Sequence, residues 1–454
     1  MTRHLFHFDL KPRNNYGDTV LFELVRQLFD GYSGREKFLV TSTTNLRHVV
    51  GPRTVEQINA ESDAVVLGGG GLMLRSTNEN ANAGWQWNIG LDRLAAIAVP
   101  LVVFAVGYNR FEGEPEFEPV FTEHLNATVE KAAFFGVRNH GSMEAVRGYL
   151  RPELAGKVLF QPCPTTVASH LVPDLYVPDL APERRVGLQV TFEARNELAG
   201  FDGREVFAGL LTVARDLRRR GYELDVISHS DVDDAFADHL RDHGVPARHV
   251  RLHAAPRGLF DGLAYYGRLP LTIGMRGHGQ MIPFGMGNGI VSVAARRKLA
   301  YFVDDLGRPD LAVEPRGDGW TTRVLDLVER WFGDPDGERA AFAVARERLW
   351  RTTLDNLGLI SSTLTGDAGD PDAFVPMTPF ERELALNTYT SARTADVEAG
   401  RAQRLRDELV QTRSALARAE RDLRRSQDEI ARGGLHLIYR NARRRVGRVV
   451  RGRG

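Results

Sequence analysis

The strongest constraint on the fold is an alternation. Short apolar, β-branched runs recur between longer amphipathic stretches, in two successive series. The first reads "HLFHFD" (4–9), "KFLVTS" (37–42), "AVVLGGG" (64–70), "LVVFAVG" (101–107) and "AFFGVRN" (133–139), with helical patterns at 17–30 and 84–97. The second begins near 185 and reads "RVGLQVTF", "ELDVISHS", "HVRLHAA", "LPLTIGM" and "GIVSVAA", with helical patterns at 203–220 and 257–267. Such alternation predicts parallel strands joined by helical crossovers, an α/β layered sheet. The Pro-rich segment 162–184 punctuates the two series. A chain of 454 residues exceeds one typical core. The expected architecture is therefore two Rossmann-like domains, 1–165 and 185–335, joined by a linker at 166–184. Ligands are expected in the cleft beyond the carboxyl ends of the strands.

Past residue 335 the pattern changes. Residues 338–358 predict a helix within a helical return segment, 336–395. Over 396–432 a 3-4 spacing places Ala402, Leu409, Leu416, Leu423 and Ile430 at one seam position, and Leu405, Thr412, Ala419 and Ser426 at the other. A coiled coil that forms a homodimer through 401–432 is expected, with a helix packed on its own domain as the alternative. In the tail, 433–454, Leu435, Ile438, Ala442, Val446 and Val449 share a helical face among seven arginines. A basic amphipathic helix suits an anionic lipid surface, each arginine contributing about 1 kcal/mol there; a solvated tail is the bland reading.

Charge balance is uninformative for the whole chain, with 59 basic and 59 acidic side chains, but the tail takes seven of the bases and leaves 52 against 59 elsewhere. No nucleic-acid partner is expected, because no aromatic stacking platform accompanies the arginines. A single cysteine, Cys163, excludes an intrachain disulfide and fits a reducing compartment. The start has no apolar core for a signal peptide, and the longest apolar run, Leu94 to Val106, is broken by Pro100. A cytoplasmic protein, held at the inner membrane face by its tail, is the expectation.

Chemistry concentrates in "LTIGMRGHGQMIPFGMG" (271–287). A strand stops at Gly274 and a helix resumes near Gln280, so 275–279 sit at the cleft edge. Unpaired first-turn N–H groups attract an anion there. Arg276 can grip a carboxylate or phosphate, and His278 can move a proton near neutral pH. An ordinary turn with exposed charge remains the alternative. Asn15-Tyr16-Gly17-Asp18 opens the first helix, as a cap or as a substrate-facing acid. Gly68, Gly69, Gly70 and Gly71 follow a strand and predict a loop that a ligand approaches closely; no Gly-Lys-Ser/Thr makes it a P-loop. Arg138 follows another strand. His229, Asp231, Asp233 and Asp234 form a His/Asp group, but no other cluster supplies the converging ligands a metal needs, and none is expected.

In this order, "NNYGDTVL" (14–21), "VVLGGGGLM" (65–73), "AVGYN" (105–109), "FFGVRNHGS" (134–142), "VISHSDVDD" (226–234) and the segment 271–299 resemble the polysaccharide pyruvyl transferase family, over about residues 4–330. The resemblance implies a GT-B-like fold. It also implies transfer of the pyruvyl unit of phosphoenolpyruvate onto hydroxyls of a sugar, in a cell-surface glycan or its lipid-linked precursor, without a cofactor. By the resemblance, Arg276 and His278 would hold phosphoenolpyruvate, Lys298 could assist, and Arg138 and the 68–71 loop would line the cleft with Asn15, Gly17 and His229. His278 is then the candidate acid, Asp18 the base and Arg276 the clamp. Two departures stand out: Gln161-Pro162 where the family often has Asp-Pro, and Gln280-Met281-Ile282-Pro283 where it commonly has small aliphatics, which is expected to alter the acceptor side. The alternatives are a GT-B glycosyltransferase using a nucleotide sugar and a non-catalytic scaffold of an envelope assembly.

Overall fold

Both series of apolar runs fold as parallel strands, because their β-branched side chains are buried on the sheet faces while crossover helices cover them. The structure, a computed structural model, describes residues 2–10, 15–75, 80–110, 112–177, 183–253, 258–295 and 297–386. The expected coiled coil and basic tail lie outside these residues. The first lobe holds β1 (Arg3–Asp9), β2 (Phe38–Asn45), β3 (Ala64–Met73), β4 (Leu101–Tyr108), β5 (Ala132–Val137) and β6 (Val158–Phe160), in the order β2-β1-β3-β4-β5-β6. The second holds β7 (Arg185–Gln189), β8 (Glu223–Ser228), β9 (Arg248–Arg251), β10 (Leu271–Gly274), β11 (Gly289–Val293) and β12 (Ala312–Val313), in the order β12-β11-β10-β7-β8-β9. Both are doubly wound, and each has one switch point where strand order reverses: between β1 and β3, and between β7 and β10.

Three local expectations change. The four glycines continue β3 to Met73 rather than forming a loop, because Gly68 and Gly70 stay in register with Phe104 and Val106 of β4. A Cβ on Gly68 would strike the Phe104 carbonyl, so the residue type keeps the sheet closed there. The helix expected at 84–97 is confined to Leu91–Ala96, because Trp85 and Trp87 are drawn into the core of the first lobe. Pro164–Val167 and Ala168–Leu171, inside the Pro-rich segment 162–184, form short buried turns; the carbonyl of Thr165 lies against Gly285 of the second lobe.

Two devices join the lobes. The amide of Tyr16 donates to the His229 carbonyl (2.9 Å), and the Tyr16 hydroxyl donates to the Leu259 carbonyl (3.0 Å). The long helix Pro335–Thr365 returns the chain to the first lobe, where Asn356 donates to the Phe160 carbonyl (2.8 Å) and Gln161 Oε1 (2.9 Å). The segment that follows is pinned there: the Val375 amide donates to the Gly31 carbonyl (2.9 Å), and Arg35 pairs with Glu381. Among the described residues no helix is long and apolar enough to cross a membrane.

Candidate functional site

The two switch points face each other across a cavity of about 230 Å³. Leu10 after β1 and Gly69–Gly71 of β3 line it from the first lobe; Arg276, Gly277 and His278 after β10 line it from the second. The first helix, Tyr16–Gly31, presents its N-terminal turn to the same space. Asn15 caps it, its Oδ1 accepting from the Asp18 amide (3.4 Å) and its Nδ2 donating to Asp18 Oδ2 (2.7 Å). Capping and a cavity-facing acid thus coexist: Asn15 holds the Asp18 carboxylate toward the second lobe.

There Asp18 meets His278. Its Oδ1 lies 3.3 Å from His278 Nδ1. The other ring nitrogen, Nε2, lies 3.9 Å from the sulfur of Cys163, which is 1 % exposed and itself 3.2 Å from the Thr165 hydroxyl. Asp18, His278 and Cys163 therefore form a row, with Asp18 at the open end. Gly17 permits it, since a Cβ there would overlap the His278 ring. Burial opposes charge on all three. It disfavours the imidazolium of His278, but the Asp18 carboxylate and the Cys163 sulfur outweigh it, and the pKa rises above the ordinary value. It disfavours the Asp18 carboxylate, but His278, Arg138 and Arg47 outweigh it, and that pKa is lowered. Each member of the pair thus favours the charged form of the other.

The arginines divide into two kinds. Arg276 Nε and Nη2 grip buried Asp233 at 2.7 to 3.0 Å, Nη2 also donates to the Ser230 hydroxyl (2.8 Å), and Nη1 lies 3.4 Å from Glu193. Its charge is met within the protein. Arg138 is only 6 % exposed, yet among the described residues its side-chain partner is the neutral Asn109, at 3.0 Å, and its buried Nε meets no acceptor there. Arg47 likewise has Gln86 at 3.3 Å and a buried Nε without a partner. Burial lowers the pKa of both guanidiniums, with Asp18 the carboxylate charge that offsets it. Both remain charged; of the two carboxylates that line the cavity, Glu193 lies 3.4 Å from Arg276 and Asp18 lies 3.3 Å from His278, so neither is bound to Arg138 or Arg47. Such a site recruits an anion.

The remaining candidates fall elsewhere. His229 is fully buried away from the cavity: Nε2 lies 2.7 Å from the Tyr266 hydroxyl, and its carbonyl receives the Tyr16 amide. It joins the lobes instead of lining the cleft. The carboxylates beside it diverge, Asp233 to Arg276 and Asp234 to Arg251 and His253. Among the described residues no group of three or more His, Cys, Asp and Glu side chains is placed to hold a metal ion. Lys298 belongs to the helix Arg297–Asp305, but its side chain lies outside the described part. Gln280 to Pro283 are buried beneath the cavity, with Gln280 Oε1 accepting from the Ser292 hydroxyl (2.7 Å). Sequence reasoning missed Arg47, Asn109 and Cys163. Arg47 and Asn109 stand just past β2 and β4, where the carboxyl-end rule would have pointed. Cys163 carried no signal beyond being single.

Two facing Rossmann-like lobes, with charged residues where their switch points meet, define a GT-B-like fold. A profile described as polysaccharide pyruvyl transferase matches residues 15–287, more than half of the chain, and the protein belongs to that family. A search of curated proteins found no match. Among solved structures, MnaA of S. aureus, solved with UDP, is similar at 11 % identity and a TM-score of 0.48, over 80 % of this chain and 98 % of that one. A glycosyltransferase from Rickettsia africae is similar at 10 % identity and 0.45, over 86 % and 98 %. UDP-GlcNAc 2-epimerase from Neisseria meningitidis, bound to UDP-GlcNAc, is similar at 9 % and 0.39, over 78 % and 100 %.

Proposed function

We propose that the protein transfers the pyruvyl unit of phosphoenolpyruvate onto hydroxyls of a sugar in a cell-surface glycan or its lipid-linked precursor. The observation that carries this reading is the pair of guanidiniums, buried Arg138 and half-buried Arg47, with no carboxylate among the described residues bound to either, beside an Asp18–His278 acid–base pair. Phosphoenolpyruvate is a small molecule with two anionic groups, and its enol phosphate ester needs a proton at C3. Its carboxylate and phosphate answer to the two free guanidiniums. Arg276, its charge met by Asp233, shapes the wall and orients the loop that carries His278.

The imidazolium is the proton source. In the proposed sequence, the Asp18–His278 pair gives one proton to C3, which becomes a methyl group, while C2 becomes electrophilic. A sugar hydroxyl oxygen bonds to C2 and its proton returns to the pair, which ends as it began. The C2–O bond to phosphate breaks, and a second hydroxyl closes the cyclic ketal, its proton leaving on the departing phosphate as hydrogen phosphate. Cys163 acts on this pair from behind. With its Nε2–H held toward the Cys163 sulfur, the ring gives up its proton from Nδ1, on the Asp18 side.

Incubating the protein with phosphoenolpyruvate, and separately with UDP- or GDP-sugars, tests the reading by phosphate release against nucleotide release. Release of nucleotide with no effect of phosphoenolpyruvate would reject it. Peripheral attachment to the inner membrane face through 433–454 belongs to the same proposal. It predicts that deleting those residues abolishes binding to anionic liposomes; unchanged binding contradicts it.

A further inference from the structure

A second cavity, of about 820 Å³, opens beside the first and shares Asn109 with it. Its walls come from both lobes: Tyr108 at the end of β4 and Arg110 just past it on one side, Phe201, Tyr301 and Arg316 on the other. We infer that this cavity is the acceptor subsite, and that it receives a glycan segment of at least two sugar residues.

The inference rests on the pyruvyl-transfer reading and adds what the acceptor must be. Size comes first. The inner cavity suits one small anion, whereas the outer one falls in the range that holds ligands of drug size, larger than a monosaccharide. Position comes second. Asn109 is the hinge between the two spaces: its Oδ1 receives Arg138, and its Nδ2 donates to the Gly71 carbonyl (3.1 Å). A chain lying in the outer cavity would present its end at Asn109, beside the donor. Chemistry comes third. The floor is made of small residues, among them Ala295 and Ala300, and the walls carry aromatic rings that offer flat apolar faces to sugar rings. Between them stand planar polar groups that match vicinal hydroxyls. Two of these are held by neighbours that also meet their charge. Arg110 lies 3.3 Å from Glu116, and Arg316 lies 3.4 Å from Glu314 and stacks 4.4 Å from the Phe201 ring centre. Arg323 and Glu112 complete the charged lining, so cations and carboxylates are mixed there; such a lining favours a hydroxyl-rich ligand over a diphosphate, which calls for arginines clear of carboxylates, as in the inner cavity.

The test uses the full chain, phosphoenolpyruvate and glycan fragments of one to four sugars. The fragments come from acid hydrolysis and sizing of the surface glycan of cells lacking the protein. Two variants probe the cavity: Ala300→Phe narrows it, and Tyr301→Ala removes an aromatic wall. The phosphoenolpyruvate dissociation constant, measured by calorimetry, reports that the inner site is intact. For the wild type, KM should fall about tenfold from one sugar to three. Each variant should raise the trisaccharide KM about tenfold, while phosphoenolpyruvate binds within about twofold of wild type. A KM independent of length, or unchanged in both variants, overturns the inference. So does competition between UDP and the trisaccharide, or failure of every fragment to react while phosphoenolpyruvate still binds. If the wild type does not bind phosphoenolpyruvate, it is the underlying reading that fails.

Discussion

Asp18 Oδ1 and His278 Nδ1 are 3.3 Å apart, and the two residues belong to opposite lobes. The acid–base pair therefore exists only while the lobes are apposed. His278→Gln and Asp18→Asn are each expected to lower kcat by about 10²–10⁴-fold, with the circular dichroism spectrum unchanged. Stopped-time assays of phosphate release from phosphoenolpyruvate measure this.

The same pair sets a pH window. The His278 pKa is raised, so the stability it contributes is fully present below about 6.5 and is lost as pH rises through the folded value. The Asp18 pKa is lowered, so its contribution is present above about 3.9 and is lost as pH falls through the folded value. Activity that needs carboxylate and imidazolium together should hold a plateau across the acidic-to-neutral range and fall on the alkaline side. Cys163→Ala should move that alkaline limb to lower pH, because a sulfur that favours the imidazolium is lost. A limb that stays in place argues against a role for the thiol.

Arg138→Ala and Arg47→Ala should each weaken phosphoenolpyruvate binding by about 10- to 100-fold, the value of one hydrogen bond to a charged group. Calorimetry reads it directly. Equal affinity in both variants would place the anion elsewhere.

Arg276→Ala should act mainly on stability. Its partner Asp233 has a fully buried side chain, and stranding that carboxylate costs about 3–5 kcal/mol. Adding Asp233→Asn should recover much of the loss in urea unfolding. If Arg276→Ala unfolds like wild type, the ion pair is not structural.

Gly17→Ala should lower kcat about tenfold or more, since the added methyl overlaps the His278 ring and small misplacements of catalytic groups are costly. Gly51→Ala is the control, because a Cβ there meets nothing.

A separate acid sensitivity lies in the first lobe. His124 takes the Trp85 indole N–H on Nδ1 (3.0 Å) and contacts the Ile89 carbonyl through Nε2 (3.0 Å), and burial pushes its pKa down to about 4. The unfolded chain binds this proton first, so stability should fall by on the order of 3 kcal/mol as pH drops from about 6.5 to about 4. In His124→Gln that slope should flatten in urea titrations.

How much of this was legible depended on sequence distance. Strand-to-helix punctuation marked Arg276 and His278, because glycine and an apolar run are local signals. Both lie at the cavity. What Arg276 binds was not legible: Asp233 stands 43 residues earlier and is brought beneath it only by the neighbouring strands. The His/Asp group that resembled a metal site turns out to feed ion pairs. His229 looked like a cleft residue because it follows a strand, yet the first helix docks on its carbonyl and covers it. The glycines at 68–71 suggested a loop by composition, while pairing with β4 keeps them in the sheet.

The most direct test of the central claim follows carbon. Phosphoenolpyruvate labelled in all its carbons is incubated with the full chain and with surface glycan stripped of pyruvate, and the glycan is then analysed by mass spectrometry. Labelled pyruvate should appear on the glycan as an acid-labile ketal, one phosphate released for each, and Arg138→Ala should suppress both. Unlabelled glycan and intact phosphoenolpyruvate, with a nucleotide sugar consumed in their place, would contradict the account.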